Sequence, residues 1–225
     1  MRGWVVQSDS GLGACGPGGS VQELFEAFVA QLVRVGATHH LADHRRHQSA
    51  TEAELAEAEA LAGALPDDLR SWWLSADRGL PLIGAYTTLS IQHALDTARS
   101  SNQMVEDGTF DPHLAKIRSW KDGRFDDGRM REVYWSPGWL PVAMDGCGNQ
   151  LCVDLSPGPS GRRGQILAME LQDGQGPYLS PWPSLRELIR GHVLLLTQDR
   201  ITLDEEHAVD YGWLSHAEIE ALLQG

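Results

Sequence analysis

The sequence predicts an α+β fold, an antiparallel β-meander of about four to six strands packed against flanking helices. Three observations carry that prediction. Apolar residues in the first hundred positions recur at spacings of three and four behind Ser/Thr-x-x-Glu starts. From Val133 to Leu171 they change to short apolar runs broken by Gly and Pro, and helical spacing returns at Ser184. At 225 residues the chain can bury one main core without disulfides.

Residues 1–19 are read as a flexible Gly/Ser-rich tail, with almost no large apolar side chains from Ser8 onward to offset the entropy of ordering. The main domain is expected over 20–197. It opens on a helix whose Val21, Leu24, Phe25, Phe28, Val29, Leu32 and Val33 form the apolar stripe, with Ser20 and Glu23 as a capping box. Thr51 and Glu54 start a second helix to about Ala64, with Leu55, Ala58, Leu61 and Ala62 inward. Pro66 sits at the first turn of a third, with Asp67 and Asp68 beside the positive end of its dipole and Leu69, Trp72 and Trp73 inward. Gly79 and Pro81 end it, and Ser90 caps a further helix from Ile91 to about Arg99.

A polar hinge contains Lys121 to Arg129. The expected strands are Val133 to Trp135, Leu140 to Met144, Gln150 to Leu155 and Gln165 to Leu171, with turns at Asp145-Gly146, Gly148-Asn149 and 157–164. Connections this short imply antiparallel neighbours. Ser184 with Glu187 caps a helix to about Leu196, and Ser215 with Glu218 caps a last one from His216 to Leu223 inside a C-terminal extension, 198–225.

Eighteen Lys and Arg against 31 Asp and Glu leave a formal charge of -13, which repels nucleic-acid phosphates and anionic lipid and attracts a basic protein partner. Cys15, Cys147 and Cys152 make no disulfide framework, so a reducing compartment is expected. The first twenty residues lack a signal-peptide core, and the longest apolar run elsewhere, Val193 to Leu196, is far short of the ~20 residues of a membrane span. A cytoplasmic protein is expected.

Gly11-Leu-Gly13-Ala-Cys15-Gly16 spells a dinucleotide fingerprint, but Pro17 interrupts the turn and no acid-ended second strand follows; tail is the preferred reading. His39, His40, His44 and His47 are read as a solvated helix surface, lacking the Cys or Glu partners of a metal set. Cys147 and Cys152 are read as buried thiols of a strand pair. Asp122, Asp126 and Asp127 do not make a calcium loop, because Arg124 stands where an oxygen ligand is needed. They are read first as a solvated loop, with a partner-facing acidic edge as the functional alternative. With Asp173 and the interface anchors Trp120 and Trp182 they form the expected protein-binding set, and no catalytic residue, metal or cofactor is expected.

In order and spacing, Leu65-Pro66-x-x-Leu69, Trp139-Leu-Pro141-Val-Ala, Gly148-Asn149, Asp154-Leu155 and Gly161-x-x-Gly164-Gln165-Ile166 together resemble the SUKH superfamily of fungal cell-wall-synthesis regulators and bacterial toxin-immunity proteins. Leu65-Pro66-Asp67-Asp68-Leu69 is similar to its Leu-Pro-x-x-Leu start, and Trp139-Leu-Pro141-Val-Ala to its Trp-Leu-Pro-Ile-Ala strand. Asp145-Gly-Cys-Gly148-Asn149, Asp154-Leu155 and Gly161-Arg-Arg-Gly164-Gln165-Ile166 are similar to its Gly-Asp, Asp-Leu and Gly-x-x-Gly-Gln-Val elements. Asn149 stands where Asp is usual, and 198–225 matches nothing in the family. These residues read as structural: Trp139 and Pro141 anchor a strand, Gly148 and Gly164 supply positive φ, and the Asp154 carboxylate binds loop amides. The resemblance implies a non-enzymatic protein-binding domain, first of all an immunity protein masking a basic toxin surface. The alternative is a regulatory scaffold in cell-wall synthesis or stress signalling, and a nucleotide-binding enzyme ranks last.

Overall fold

The structure, a computed structural model, describes residues 19–37, 49–75, 79–172, 174–205, 207–212 and 214–224. The N-terminal glycine string with Cys15, the histidines from His39 to His47, and Asp173 lie outside them.

Local signals set the first three helices. In α1 (Val21–Val35) the Ser20 hydroxyl accepts from the Glu23 amide while Glu23 accepts from the Ser20 amide at 2.6 Å. Gly36, at φ 80°, closes the helix in the left-handed conformation that glycine adopts without a Cβ penalty. Val33 departs from the expected stripe and is 52% exposed. Thr51 and Glu54 cap α2 (Glu52–Ala62) reciprocally. Pro66 precedes α3 (Asp67–Ser75), which buries Leu69, Trp72 and Trp73; Trp72 meets Phe25 edge-on at 5.9 Å.

A short 3-10 turn, Ile83–Ala85, leads into β1 (Thr87–Thr88) and then α4 (Ile91–Glu106). The last helix runs past the expected stop at Arg99 because its final turns have tertiary partners. Ser101 is buried, and Asn102 Oδ1 accepts from Trp135 Nε1 at 2.9 Å. Periodicity did not reveal α5 (Asp111–Trp120), a polar helix in which only Ile117 is buried.

The main sheet adds β2 (Trp139–Met144), β3 (Gln150–Asp154), β4 (Gln165–Glu170) and β5 (Gly176–Leu179), in the order β1-β2-β3-β4-β5 with every pair antiparallel. The register of β2 on β3 slips between Pro141 and Ala143, and the skipped Val142 carbonyl accepts from Leu89 N at 2.9 Å.

The expected strand at Val133 to Trp135 is not formed. Those residues follow a bent path in which Tyr134 and Trp135 enter the core from a loop, Trp135 meeting Trp139 edge-on at 5.8 Å. Conversely β5 was not foreseen, since Gly176-Pro177 reads as a turn. Proline is tolerated there because β5 ends the sheet and needs no amide on its outer side.

Behind the sheet α6 (Leu185–Thr197) lies against α1. The chain ends in a small ribbon, β6 (Thr202–Leu203) and β7 (Val209–Asp210), and in α7 (His216–Gln224), with the expected Ser215/Glu218 box formed. Tyr211, Ile219 and Leu222 from this segment join the common core. His192 of α6 joins several of these parts. Its Nδ1 donates to the Leu188 carbonyl at 2.7 Å, its Nε2 accepts from Ile83 N at 2.9 Å, and its ring lies among Phe28, Trp182 and Tyr211.

Candidate protein-interaction surface

Lys121, at φ 50°, ends α5 and turns the chain across the outer side of β5. Trp120 is left 39% exposed, with the Lys116 ammonium 5.4 Å and the Arg124 guanidinium 5.3 Å from its ring centre. Arg124 is the organising residue of this corner, its side chain only 5% exposed. It lies 4.1 Å over the Tyr178 ring and donates to the Tyr178 hydroxyl at 3.0 Å. It also donates to the Gln175 and Pro177 carbonyls and to both oxygens of Asp122. The guanidinium thus fixes the loop to the strand and backs the indole with positive charge.

This geometry gives the acidic edge expected at 121–129 its own counter-charges. Hydrogen bonds from the Arg124 side chain hold the Asp122 carboxyl below the usual carboxylate range. The Arg129 amide and guanidinium do the same for Asp127, the latter pair 2.6 Å apart. Asp126 is exposed. Because each of the two pairs is closed within the loop, the surface presents an aromatic face among mixed charges, not an unscreened acidic strip. The missed signal is the Asp-x-Arg spacing, which lets an Asx turn and an ion pair form together.

Trp182 is corrected more sharply: at 2% exposure it packs on His192 and covers Gly191, where any Cβ would overlap its ring. Its Pro-rich context suggested a surface loop, but the two prolines fold the indole back into the core.

The motif residues form a buried polar knot behind this surface. Asp154 is fully buried and accepts from Trp139 Nε1 at 3.1 Å, Gln165 Nε2 at 2.9 Å and Ser156 N at 2.9 Å. Burial raises its carboxyl above the usual range, with those bonds opposing the shift. Gln165 also donates to the Arg129 carbonyl at 3.0 Å, coupling β4 to the end of the 121–129 loop. Gly148 and Gly164 take φ of 93° and 88°, as their turns require. Asn149 donates to Asp145 Oδ2 at 2.8 Å and accepts from Gln172 N at 3.2 Å, two roles that an aspartate could not fill together. Leu65 is buried ahead of α3, and Pro66 O accepts from Leu69 N and Arg70 N, both at 3.0 Å.

The two cysteines differ from the expected buried pair: Cys152 is buried and Cys147 exposed in the β2–β3 turn. Burial raises the Cys152 thiol, keeping it protonated and a poor nucleophile. Among the described residues no three His, Cys, Asp or Glu side chains are grouped to hold a metal ion, and no helix is long and apolar enough to cross a membrane.

A model of the SMI1 / KNR4 family (SUKH-1) matches residues 49–191, from just before α2 to within α6. The chain is similar to the cell wall biosynthesis/cell cycle regulator smi1 of Schizosaccharomyces pombe, 31% identical over 77 residues, which are 34% of this chain and 15% of that protein. It is 53% identical over 38 residues to a KNR4/SMI1 homolog 2 of Debaryomyces hansenii, 17% of this chain and 6% of the relative. With the cell wall assembly regulator SMI1 of Saccharomyces cerevisiae it shares 45% over 38 residues, again 17% of this chain and 8% of the relative. The matched segments are thus a small part of these fungal proteins.

Proposed function

Since the chain belongs to the SMI1 / KNR4 family (SUKH-1), and is thereby a non-enzymatic protein-binding domain, we propose that it serves as a regulatory scaffold of the cell-wall or stress-response type. The observation that carries this reading is the family match over α2 to α5, the entire five-stranded sheet and the start of α6, together with relatives named as cell-wall regulators. Those names favour the scaffold over the toxin-immunity reading. The closed Asp122–Arg124 and Asp127–Arg129 pairs also remove the support that an unscreened acidic loop would give to masking a toxin's basic surface.

In this proposal the contact surface is centred on Trp120 and includes Asp126 and the charged rim at Lys116, Asp122 and Asp127. A large aromatic side chain held in place by cations loses little entropy on binding and buries substantial area, the usual character of an interface anchor.

The test is affinity capture of tagged wild-type chain and Trp120→Ala from the cell's own lysate, with bound proteins identified by mass spectrometry. Stable partners concerned with cell-wall synthesis, depleted about tenfold by the substitution, are expected; an interface anchor lost to alanine costs 2 kcal/mol or more, roughly thirtyfold in affinity. A single secreted-toxin partner would restore the immunity reading. Unchanged capture by Trp120→Ala would remove this surface.

A further inference from the structure

The overall charge of -13 conceals one cleft of the opposite character. About 420 Å³ in volume, it lies between the starts of α3 and α6 and the turn before β4, and its lining includes Arg162, Arg163 and Arg186. The two carboxylates in its wall balance these poorly. Glu187 is engaged by Arg190 at 2.8 Å, and Asp68 comes no nearer than 3.7 Å to Arg186. Arg163 donates to the Leu155 and Ala64 carbonyls, and Arg186 to the Gly19 carbonyl. A carbonyl satisfies an N–H group without cancelling the cation's charge. The Arg162 side chain has no hydrogen bond or ion pair among the described residues; only its backbone amide and carbonyl bond, both to Gln165.

Arg162 and Pro183 also line a second cleft, of about 640 Å³, that continues past Ser180 and Pro181 to α7. The two clefts share these residues and make one groove, cationic at one end and lined by Ser180, Pro181 and Pro183 along the other.

We propose that this groove binds a phosphorylated segment of a protein partner, the phosphate monoester held by Arg162, Arg163 and Arg186 and the flanking backbone laid along Pro181–Pro183. This rests on the protein-binding reading above and names the chemistry recognised. A phosphate dianion matches the two guanidiniums that face no carboxylate, whereas a single carboxylate would leave one unmatched. Polyanions such as nucleic acid or an anionic membrane are repelled by the rest of the -13 surface. A peptide bearing one phosphate in an otherwise neutral or basic sequence meets attraction from both parts of the molecule.

The experiment titrates the full chain with a labelled Ala/Lys peptide carrying one phosphoserine, with its serine and aspartate twins, and with inorganic phosphate. Anisotropy gives affinity and 15N spectra of the arginine Nε groups give location. The phosphopeptide is expected to bind about tenfold or more tighter than either twin, the scale of one charge-assisted contact. Inorganic phosphate should shift the Arg162, Arg163 and Arg186 signals. Arg162→Gln, which breaks no contact of the fold, should weaken phosphopeptide binding by about the same factor, with Arg118→Gln as an unaffected control. Equal binding of the serine twin, equal binding of the aspartate twin, or no shift at the three arginines would each overturn the proposal. Partners captured from lysate equally by wild type and Arg162→Gln, before and after phosphatase treatment, would overturn the groove and leave the protein-binding reading standing. No stable partner, with inorganic phosphate still shifting the three arginines, would support the anion site and remove that reading.

Discussion

Acidification from pH 7 to pH 5 should destabilise this domain through one residue, His192. The ring is fully buried, and the groups around it are Phe28, Trp182, Tyr211, the Ile83 amide and the Leu188 carbonyl. Burial pushes its pKa down from 6.5 to about 4. With the folded value below the unfolded one, the unfolded chain takes up the proton first as pH falls. The stabilisation is therefore complete above about pH 6.5 and is lost progressively towards about pH 4. At 1.36 kcal/mol per unit the whole loss is about 3 kcal/mol, of which about 2 kcal/mol falls between pH 7 and pH 5. Urea unfolding at the two pH values should show the midpoint dropping by about 1 M, at an m-value near 2 kcal/mol/M.

The raised Asp154 carboxyl acts oppositely, its protonation on acidification favouring the folded state, so the comparison must be with His192→Gln measured in parallel. The variant should be weaker at pH 7 and lack the histidine's share of the slope. If it kept the wild-type slope, or if the His192 ring of the native protein titrated near 6.5 by NMR, the account would be refuted.

Other consequences follow from named contacts. Asp154→Asn turns one accepting oxygen into a donor facing Gln165 Nε2, and should cost about 1–3 kcal/mol, read as a fall in the thermal midpoint. Gly191→Ala must overlap the Trp182 ring; the expected net loss is about 1–3 kcal/mol by urea titration despite alanine's better helix propensity, and a stabilised variant would show that the indole can move. Arg124→Lys keeps the charge but loses the fork that holds Tyr178, Asp122 and two carbonyls, so protease nicking within 121–129 should increase while the global midpoint changes little.

The parts legible in the sequence were those written in local chemistry. Ser20 with Glu23, Thr51 with Glu54 and Ser215 with Glu218 each announced a helix start, and the Gly and Pro punctuation announced the meander. Helix α5 was not legible because one buried Ile117 gives no apolar period, and its stability comes from what it rests on. The run from Val133 to Trp135 has strand composition, yet Asn102 and Trp139 claim the Trp135 indole and hold the backbone in a bend.

The exposure and pairing of the proposed contact residues are legible only in part. Trp120 is exposed as its polar neighbours suggested, but Asp122 and Asp127 could be known as paired only from side-chain paths. Trp182 shows the reverse, a Pro-rich context concealing a buried ring. Arg124, the residue that ties the corner together, stood in the sequence only as a reason to reject a calcium loop.

That same arginine bears on how the molecule meets its neighbours. The outermost strand of any open sheet offers a row of unclaimed carbonyls and amides on which a foreign chain can template itself. Here Arg124 already claims the Gln175 and Pro177 carbonyls, and Pro177 contributes no amide. A partner approaching beside Trp120 thus finds a sealed margin. In the contact proposed at this corner recognition would run through side chains, and the edge that keeps copies of the domain from joining sheet to sheet would lie beside it.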